Sequence, residues 1–330
     1  MVQPADTVSD RIRIDYHRDG REDQAFREEL RTALTETPRR IPSKYFYDER
    51  GSELFEAICE LPEYYPTRAE RAILERHAGE IVRASGCSEL VELGPGAATK
   101  TRLLLDAMAE AGTLELYVPF DVSEEMVARV ARRFTELYPG LRVHGVVGDF
   151  MAHLGKVPEG GCRLAAFLGG TIGNLLPEDA RAFLARLARR LDPGDGLLLG
   201  TDLIKDPAVL EVAYDDAAGV TAEFNRNILR VVNRLTGGDF DPRAFRHRAF
   251  YDEALHRIEM RLVAERPQEV HLPALDLALE LREGEEILTE ISTKYDREKV
   301  EALLERTGFE LERWYTDPDH LFALSLARRV

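Results

Sequence analysis

Between residues 68 and 202 the chain alternates two hydrophobic rhythms. Short apolar runs occupy 90–93, 116–121, 142–147, 164–168 and 197–202. Between them, apolar residues recur every three or four positions over about 68–84, 101–108, 123–137 and 177–191. Runs too short for helices, each followed by a helical period, predict a parallel sheet with helices on both faces. In such a sheet a ligand lies beyond the carboxyl ends of the strands. The sequence places Gly94, Asp121, Asp149, Asn174 and Asp202 at those ends.

The rhythm differs on both sides of this block. Residues 1–18 are polar and aperiodic and are expected to form a flexible tail. A helix is predicted over 22–35, stopping before Pro38, and a shorter one over 52–60. Thr67 stands where it can cap the helix that starts at residue 68. Tyr45, Phe46, Tyr47, Tyr64 and Tyr65 are set among prolines; such segments either pack on a core or wall a ligand pocket. After Asp202 come two helical patterns, 207–216 and 219–236. Long alternating runs near 246–265 and 268–282 then read as antiparallel strands of a separate sub-domain. A helix over 297–307 precedes strands at 309–315 and 320–327, joined by Asp317-Pro318-Asp319. A parallel sheet closed by such a hairpin is not the usual form of a nicotinamide-binding sheet.

The stretch Val91-Glu92-Leu93-Gly94-Pro95-Gly96-Ala97-Ala98-Thr99-Lys100 joins the first strand to its helix. Glycine lets bare backbone N–H groups approach a nucleotide-like ligand at a helix start. The third glycine of the dinucleotide fingerprint is missing, because Thr99 stands in its place. The acid is also late: Asp121 follows Gly94 by 27 positions, where a ribose-binding acid usually follows by about 20. Glu92, Asp121, Asp149-Phe150 and the terminal hairpin fit S-adenosylmethionine (SAM) better than a nicotinamide. SAM asks for an acid for the ribose hydroxyls, an acid and an aromatic for adenine, and backbone for its methionine end.

Taken together, the segments resemble the histidine-specific SAM-dependent methyltransferase family. They are Lys44–Asp48, Leu61–Arg68, Val91–Thr101, Pro119–Asp121, Gly148–Phe150, Phe167–Asn174, Gly200–Leu203, Ala213–Gly219 and Leu288–Ser292, and the likeness runs from about residue 25 to the end. Tyr45 is a mild departure, since an indole is often seen there. The resemblance implies a Rossmann-like class I methyltransferase sheet with a closing antiparallel hairpin, plus a smaller α+β substrate sub-domain. It places the SAM-binding domain at 69–204 and 295–330, and the substrate-binding sub-domain at 19–68 and 205–294. The implied reaction is Nα-trimethylation of L-histidine to hercynine, the first step of ergothioneine biosynthesis.

The resemblance further implies that Gly94, Lys100, Asp121, Asp149 and Phe150 bind SAM, with Tyr47 beside the reactive methyl. Asn174 and Tyr214 would hold the amino acid carboxylate, and Gly169 the α-amine. Tyr64, Glu290 and Ser292 would read the imidazole, with Met260 packed against the ring. The residues that touch the reacting atoms would be Tyr47, Gly169 and Asn174. Read from the chain alone, an extended 287–294 segment points Glu290 and Ser292 to one face. A carboxylate and a hydroxyl side by side can satisfy both ring nitrogens of an imidazole. Tyr47, Phe46 and Tyr64 are placed to face a quaternary ammonium product.

Composition narrows the partners. The formal net charge is −16, and no basic block occurs. Nucleic acid and anionic membrane surfaces need a dense Lys/Arg footprint, so a small-molecule substrate and a monomer are expected. Cys59, Cys87 and Cys162 are the three cysteines. Without a paired motif they read as buried free thiols in a reducing cytoplasm, with neither disulfide scaffold nor metal site. The N-terminus lacks the pattern of a signal peptide. Three other readings stay open from the residues: an N-methyltransferase for another aromatic amino acid such as tryptophan, a nicotinamide oxidoreductase, and a non-catalytic SAM-binding module.

Overall fold

The computed structural model describes residues 8–17, 22–96 and 98–330. Strand β1 (Ile12–Tyr16) and helix α1 (Glu22–Thr35) open the chain. A short β2 (Arg39–Arg40) and helices α2 (Glu49–Cys59) and α3 (Pro66–Ser85) follow. Then strands and helices alternate as the apolar runs predict. They are β3 (Glu89–Leu93), α4 (Thr101–Glu110), β4 (Leu116–Asp121), α5 (Glu124–Leu137), β5 (Arg142–Val147), α6 (Phe150–His153), β6 (Arg163–Phe167), α7 (Pro177–Ala188) and β7 (Gly196–Asp202). The later part contains α8 (Pro207–Tyr214), α9 (Val220–Thr236), β8 (Phe245–Asp252), β9 (Arg257–Ala264), β10 (Gln268–Leu272), β11 (Leu277–Leu281) and β12 (Glu286–Thr293). Helix α10 (Arg297–Glu305) and strands β13 (Phe309–Thr316) and β14 (Phe322–Arg329) close it.

The main sheet has the order β1-β5-β4-β3-β6-β7-β14-β13. Strands β3 to β7 are mutually parallel, and β14 runs antiparallel between β7 and β13. β3 and β6 are buried along their whole length, which is why they read as continuous apolar runs instead of alternating ones. A second sheet, β2-β12-β9-β8, carries the alternating segments, and β10 and β11 form a separate hairpin. Each long alternating run is therefore a hairpin of two strands.

The flexible tail expected over 1–18 is corrected at its described part. Ile12–Tyr16 pairs in parallel with Val143–Val147 and extends the sheet; Arg11 anchors it by donating to the carbonyls of Tyr138 and Leu141 at 3.2 Å. The alternation Ile12-Arg13-Ile14-Asp15-Tyr16 was the available signal for this edge strand. Residues 1–7 and 18 lie outside the described residues. Thr67 is not a cap either: α3 begins at Pro66, whose ring suits the first helical turn, and the Thr67 hydroxyl bonds Cys59 Sγ at 3.3 Å.

Apolar packing follows the two sheets. One core cluster draws on Leu30–Tyr65 and Leu210–Ile287. Two others, on opposite faces of the main sheet, draw on residues 69–198 and 295–327 together with the closing hairpin. The backbone joins the sheets where β12 ends. Tyr295 N donates to Asp202 O and Ile204 N to Tyr295 O, both at 2.8 Å, and Leu203 bridges Tyr295 in parallel. The second sheet thus meets the first at the carboxyl end of β7.

Two of the three cysteines are not buried. Cys162 is exposed and Cys59 intermediate. Cys87 and Cys162 precede β3 and β6, with their sulfurs 2.6 Å apart. Among the described residues, these two and Asp195 form the single group with metal-ligand types in reach of one another. The Asp195 carboxylate is engaged by the backbone N–H groups of Arg163 and Asp192, each at 2.9 Å.

Candidate active site

The turn after β3 needs a left-handed residue. Gly94 has φ +72° and donates its N–H to Phe120 O at 2.8 Å. A side chain there would be strained. Beside it, Asp121 ends β4 and accepts from Ser123 N at 3.0 Å and Gly96 N at 3.4 Å. Burial nonetheless lifts its carboxyl above the usual value, and these backbone donors only partly offset the shift. Asp149 caps α6 through Met151 N at 2.7 Å. It also receives Lys44 Nζ at 3.4 Å, which ties the N-terminal segment to the end of β5. The Phe150 ring lies edge-on to Phe167 and Phe183, 5.6 and 5.8 Å between centroids. Its Cε1 stands 3.7 Å from where a side chain on Gly94 would begin. Gly94, Asp121, Asp149 and Phe150 therefore stand together beyond the carboxyl ends of β3, β4 and β5, where they offer backbone, carboxylates and an aromatic edge.

Glu92 faces the other way. It is buried under the turn and accepts from the hydroxyls of Thr101 at 2.7 Å and Tyr117 at 2.6 Å. Desolvation lifts its carboxyl to about 7. It braces strand to helix. Lys100 ion-pairs with Glu70, a fully buried residue of α3 that the sequence reading missed. The same carboxylate accepts from Gly169 N at 2.8 Å. Glu70 thus joins the Lys100 and Gly169 loops, and the Gly169 N–H is already engaged. Any contact between Gly169 and an amine must run through its carbonyl.

The aromatics come from residues 46–64 and from α8 and α9. Tyr47 is 41% exposed and meets Phe55 and Phe224 edge-on at 5.6 and 6.0 Å. Tyr64 is buried and meets Phe55 and Tyr214 edge-on, each at 6.2 Å. Phe46 is withdrawn from the role of facing a cation, because it is fully buried and stacked on Phe224 at 4.4 Å. The aromatic segments are accordingly part core and part wall.

Strand β12 supplies the polar row. Its pairing with β9 is irregular between Leu288 and Glu290, and such a bulge re-aims the residues that follow. Glu290, Ser292 and the next alternate residue, Lys294, then share one face. Met260 is the direct cross-strand partner of Glu290 and is 1% exposed. Desolvation lifts the Glu290 carboxyl to about 7, with Lys294 pulling the other way. The turn that ends at Asn174 packs on this strand: a Cβ on Gly173 would fall 2.7 Å from Thr293 O. Only glycine permits that approach, and it sets Asn174 beside the end of β12.

Lys294 organises the end of that row. It is fully buried, and Nζ donates to Asp202 Oδ2 at 2.7 Å, Ser292 Oγ at 2.8 Å and Tyr214 Oη at 3.1 Å. The Tyr214 hydroxyl bonds Ser292 Oγ at 2.9 Å. Asp202 also accepts from Tyr65 at 2.8 Å and Lys205 at 2.6 Å. Burial opposes its charge, but Lys294 and Lys205 hold its carboxyl below the usual value. Burial lowers Lys205 to about 8, against the pull of Asp202. Sequence reasoning put Asp202 at a strand end and gave it no task; it named Tyr65 only within an aromatic cluster, and it passed over Lys205 and Lys294. The signal available for Lys294 was its alternate spacing after Glu290 and Ser292.

The structure therefore gathers Gly94, Asp121, Asp149 and Phe150 on one side. Tyr64, Tyr214, Met260, Glu290 and Ser292 gather on the other, with Tyr47, Lys100, Gly169 and Asn174 on segments between the two sheets. The family described as histidine-specific methyltransferase, SAM-dependent, matches residues 26–329. A histidine N-alpha-methyltransferase of Mycolicibacterium smegmatis is 50% identical over 306 residues, 93% of this chain and 95% of that protein. Its namesake in Mycobacterium tuberculosis is 48% identical over 305 residues, 92% of this chain and 95% of that protein. An ergothioneine biosynthesis protein 1 of Neurospora crassa is 33% identical over 295 residues, 83% of this chain but 31% of the fungal protein. The chain belongs to the histidine-specific, SAM-dependent methyltransferase family.

Proposed function

We propose that this enzyme transfers three methyl groups from SAM to the α-amine of L-histidine, giving hercynine and S-adenosylhomocysteine, as the first step toward ergothioneine. The observation that carries the reading is the row Glu290, Ser292 and Met260 on the second sheet, set against the carboxyl ends of a parallel sheet that carries a SAM-type turn. Two units divide the work: 69–204 with 295–330 holds the methyl donor, and 19–68 with 205–294 holds the amino acid.

On the donor side, Asp121 takes the ribose hydroxyls, Asp149 and Phe150 the adenine, and the Gly94 turn with Lys100 the methionine end. The residues fit that ligand, because Asp121 is preset by two backbone N–H groups and the Phe150 edge lies over the turn. SAM supplies an electrophilic methyl on a sulfonium, so the protein's task is alignment. Positioning two reactants is worth up to about 7–11 kcal/mol of the barrier.

On the acceptor side, Asn174 and Tyr214 receive the carboxylate, and the Gly169 carbonyl receives the amine. Glu290 and Ser292 receive the ring nitrogens, while Tyr64 and Met260 pack on the ring. The amine loses a proton before each transfer, to water. A third transfer leaves a quaternary ammonium with no proton to lose, and the reaction ends there, with Tyr47 and Tyr64 facing the cation. Indole has no second ring nitrogen for Ser292, so histidine is favoured over tryptophan. The test is incubation with SAM and the twenty amino acids, followed by mass spectrometry. Histidine should gain one, two and three methyl groups; absence of every methylated histidine would refute the function.

A further inference from the structure

The two hydroxyls of Tyr214 and Ser292 stand 2.9 Å apart, and Lys294 holds both with its ammonium N–H groups. Two hydroxyl oxygens this close must have a proton between them. Each also has one lone pair filled by Lys294. Of their two protons, one is therefore fixed in the shared bond and one is left for a ligand. Without a ligand, Tyr214 is the donor in that bond. Hydroxyl protons rotate, so the direction can reverse. A carboxylate accepts only, so a carboxylate bound at Tyr214 takes the phenol proton. Ser292 must then give its own proton to Tyr214, and towards the ring it becomes an acceptor.

We propose that Lys294, through this pair, couples the two ends of the amino acid: binding the carboxylate at Tyr214 obliges Ser292 to accept an N–H from the ring. The inference rests on the reading of the site given above. The second ring nitrogen then faces Glu290. Neutral imidazole offers one N–H, which Ser292 consumes, so the other nitrogen and Glu290 must hold one further proton between them. The bound pair is either imidazolium with carboxylate or imidazole with carboxylic acid; both contain the same number of protons. Recognition of a histidine ring thereby includes the capture of a proton, which an indole cannot reproduce.

The groups around Lys294 are consistent with this. Asp202 on β7, flanked by Lys205 and the Tyr65 hydroxyl, balances its charge. Tyr214 comes from α8, and Ser292 and Glu290 from its own strand. Tyr251 on β8 lies in its field, and the carbonyl of His256 accepts its backbone N–H at 2.7 Å. All three ammonium N–H groups are engaged, so Lys294 has no donor left for the ligand. It acts as a positioning residue. Glu290, lifted to about 7 by burial, takes or yields a proton near neutral pH.

The proton can be counted. The trimethylated product has no amine proton, so only ring and protein protons change when it binds. At pH 8 free Glu290 is mostly ionised, and free imidazole, with its ordinary value near 6.5, is mostly neutral. Titration of the enzyme with hercynine and S-adenosylhomocysteine, in buffers of different ionisation enthalpy, should show uptake of about one proton per site. In Tyr214→Phe the serine proton is freed towards the ring, and uptake should fall to less than about half of the wild-type value, with weaker binding. Lys294→Arg should retain uptake, and Lys294→Met, where it folds, should lose it. A merely structural role for Lys294 would weaken binding without changing the proton count. Wild-type binding without uptake, or equal uptake in Tyr214→Phe, overturns the inference and leaves histidine methylation intact. A wild-type enzyme that neither methylates histidine nor binds hercynine overturns the function, and this inference with it.

Discussion

Two groups of residues at the carboxyl ends of the strands are built on opposite principles. The group proposed to hold SAM is backbone: a left-handed glycine turn and strand-end acids whose oxygens are preset by N–H groups of the same or neighbouring loops. The group proposed to hold the amino acid is side chain: a buried lysine, an aspartate, a tyrosine and a serine that satisfy one another. The difference teaches where specificity is held. A backbone cradle recognises a ligand type shared by many enzymes. A closed network of side chains rejects any ligand that leaves one of its buried members unpaired.

The sharpest way to break the comparison is to unpair the network. Lys294→Met leaves Asp202 buried beside Lys205 alone, and loss of one partner of a buried ion pair costs about 3–5 kcal/mol. A thermal or urea melt should show it, whereas a change of less than about 1 kcal/mol would mean that water enters and the network is not closed. Next comes Glu290→Ala, expected to cost histidine about 2–4 kcal/mol of binding while SAM is scarcely affected. Calorimetry with each ligand separates the two, and equal losses would refute the division between the two groups. Asp121→Asn should do the reverse, weakening SAM by about 1.5–3 kcal/mol, the range for hydrogen bonds to charged groups.

The smallest expected effect is a gain. The Glu290 carboxyl rises from its ordinary 4.5 to about 7 on folding. Its favourable contribution is therefore complete below about 4.5 and lost as the pH climbs to about 7. Above that, the ligand-free protein carries a buried charge at a cost on the order of 1–2 kcal/mol. Glu290→Gln should melt higher than wild type at pH 8 and equally at pH 4.5, while binding histidine poorly. No gain at pH 8 would show that Glu290 is hydrated in the free enzyme.

Much of this molecule was legible as pattern. Strands at 116–121 and 142–147 were predicted to the residue, because short β-branched and aromatic segments stand out between helical periods. Ser123 caps α5 by accepting from Met126 N at 3.3 Å, a contact between residues three apart and therefore set by local sequence. The edge strand Ile12–Tyr16 was legible only as a short alternation of apolar and polar residues inside a polar stretch, and its partner, more than a hundred residues away, was not legible at all. Glu70 did carry a local mark: three and four residues before Ile73 and Leu74, it is an acid on the apolar face of α3, but what it pairs with there is set by the distant Lys100 and Gly169.

By itself, the sequence determined the order of the elements, the parallel sheet with its closing hairpin, the glycine turn and the kinship that pointed to histidine. These depend on local periodicity and on motifs contiguous in the chain. Only the tertiary structure decided which polar residues satisfy one another. Asp202, Tyr214 and Lys294 come from three elements, and they meet because β12 ends against the carboxyl end of β7. Burial and hydrogen bonding are properties of that meeting, because the cost of an unpaired buried charge exists only after folding has removed the water.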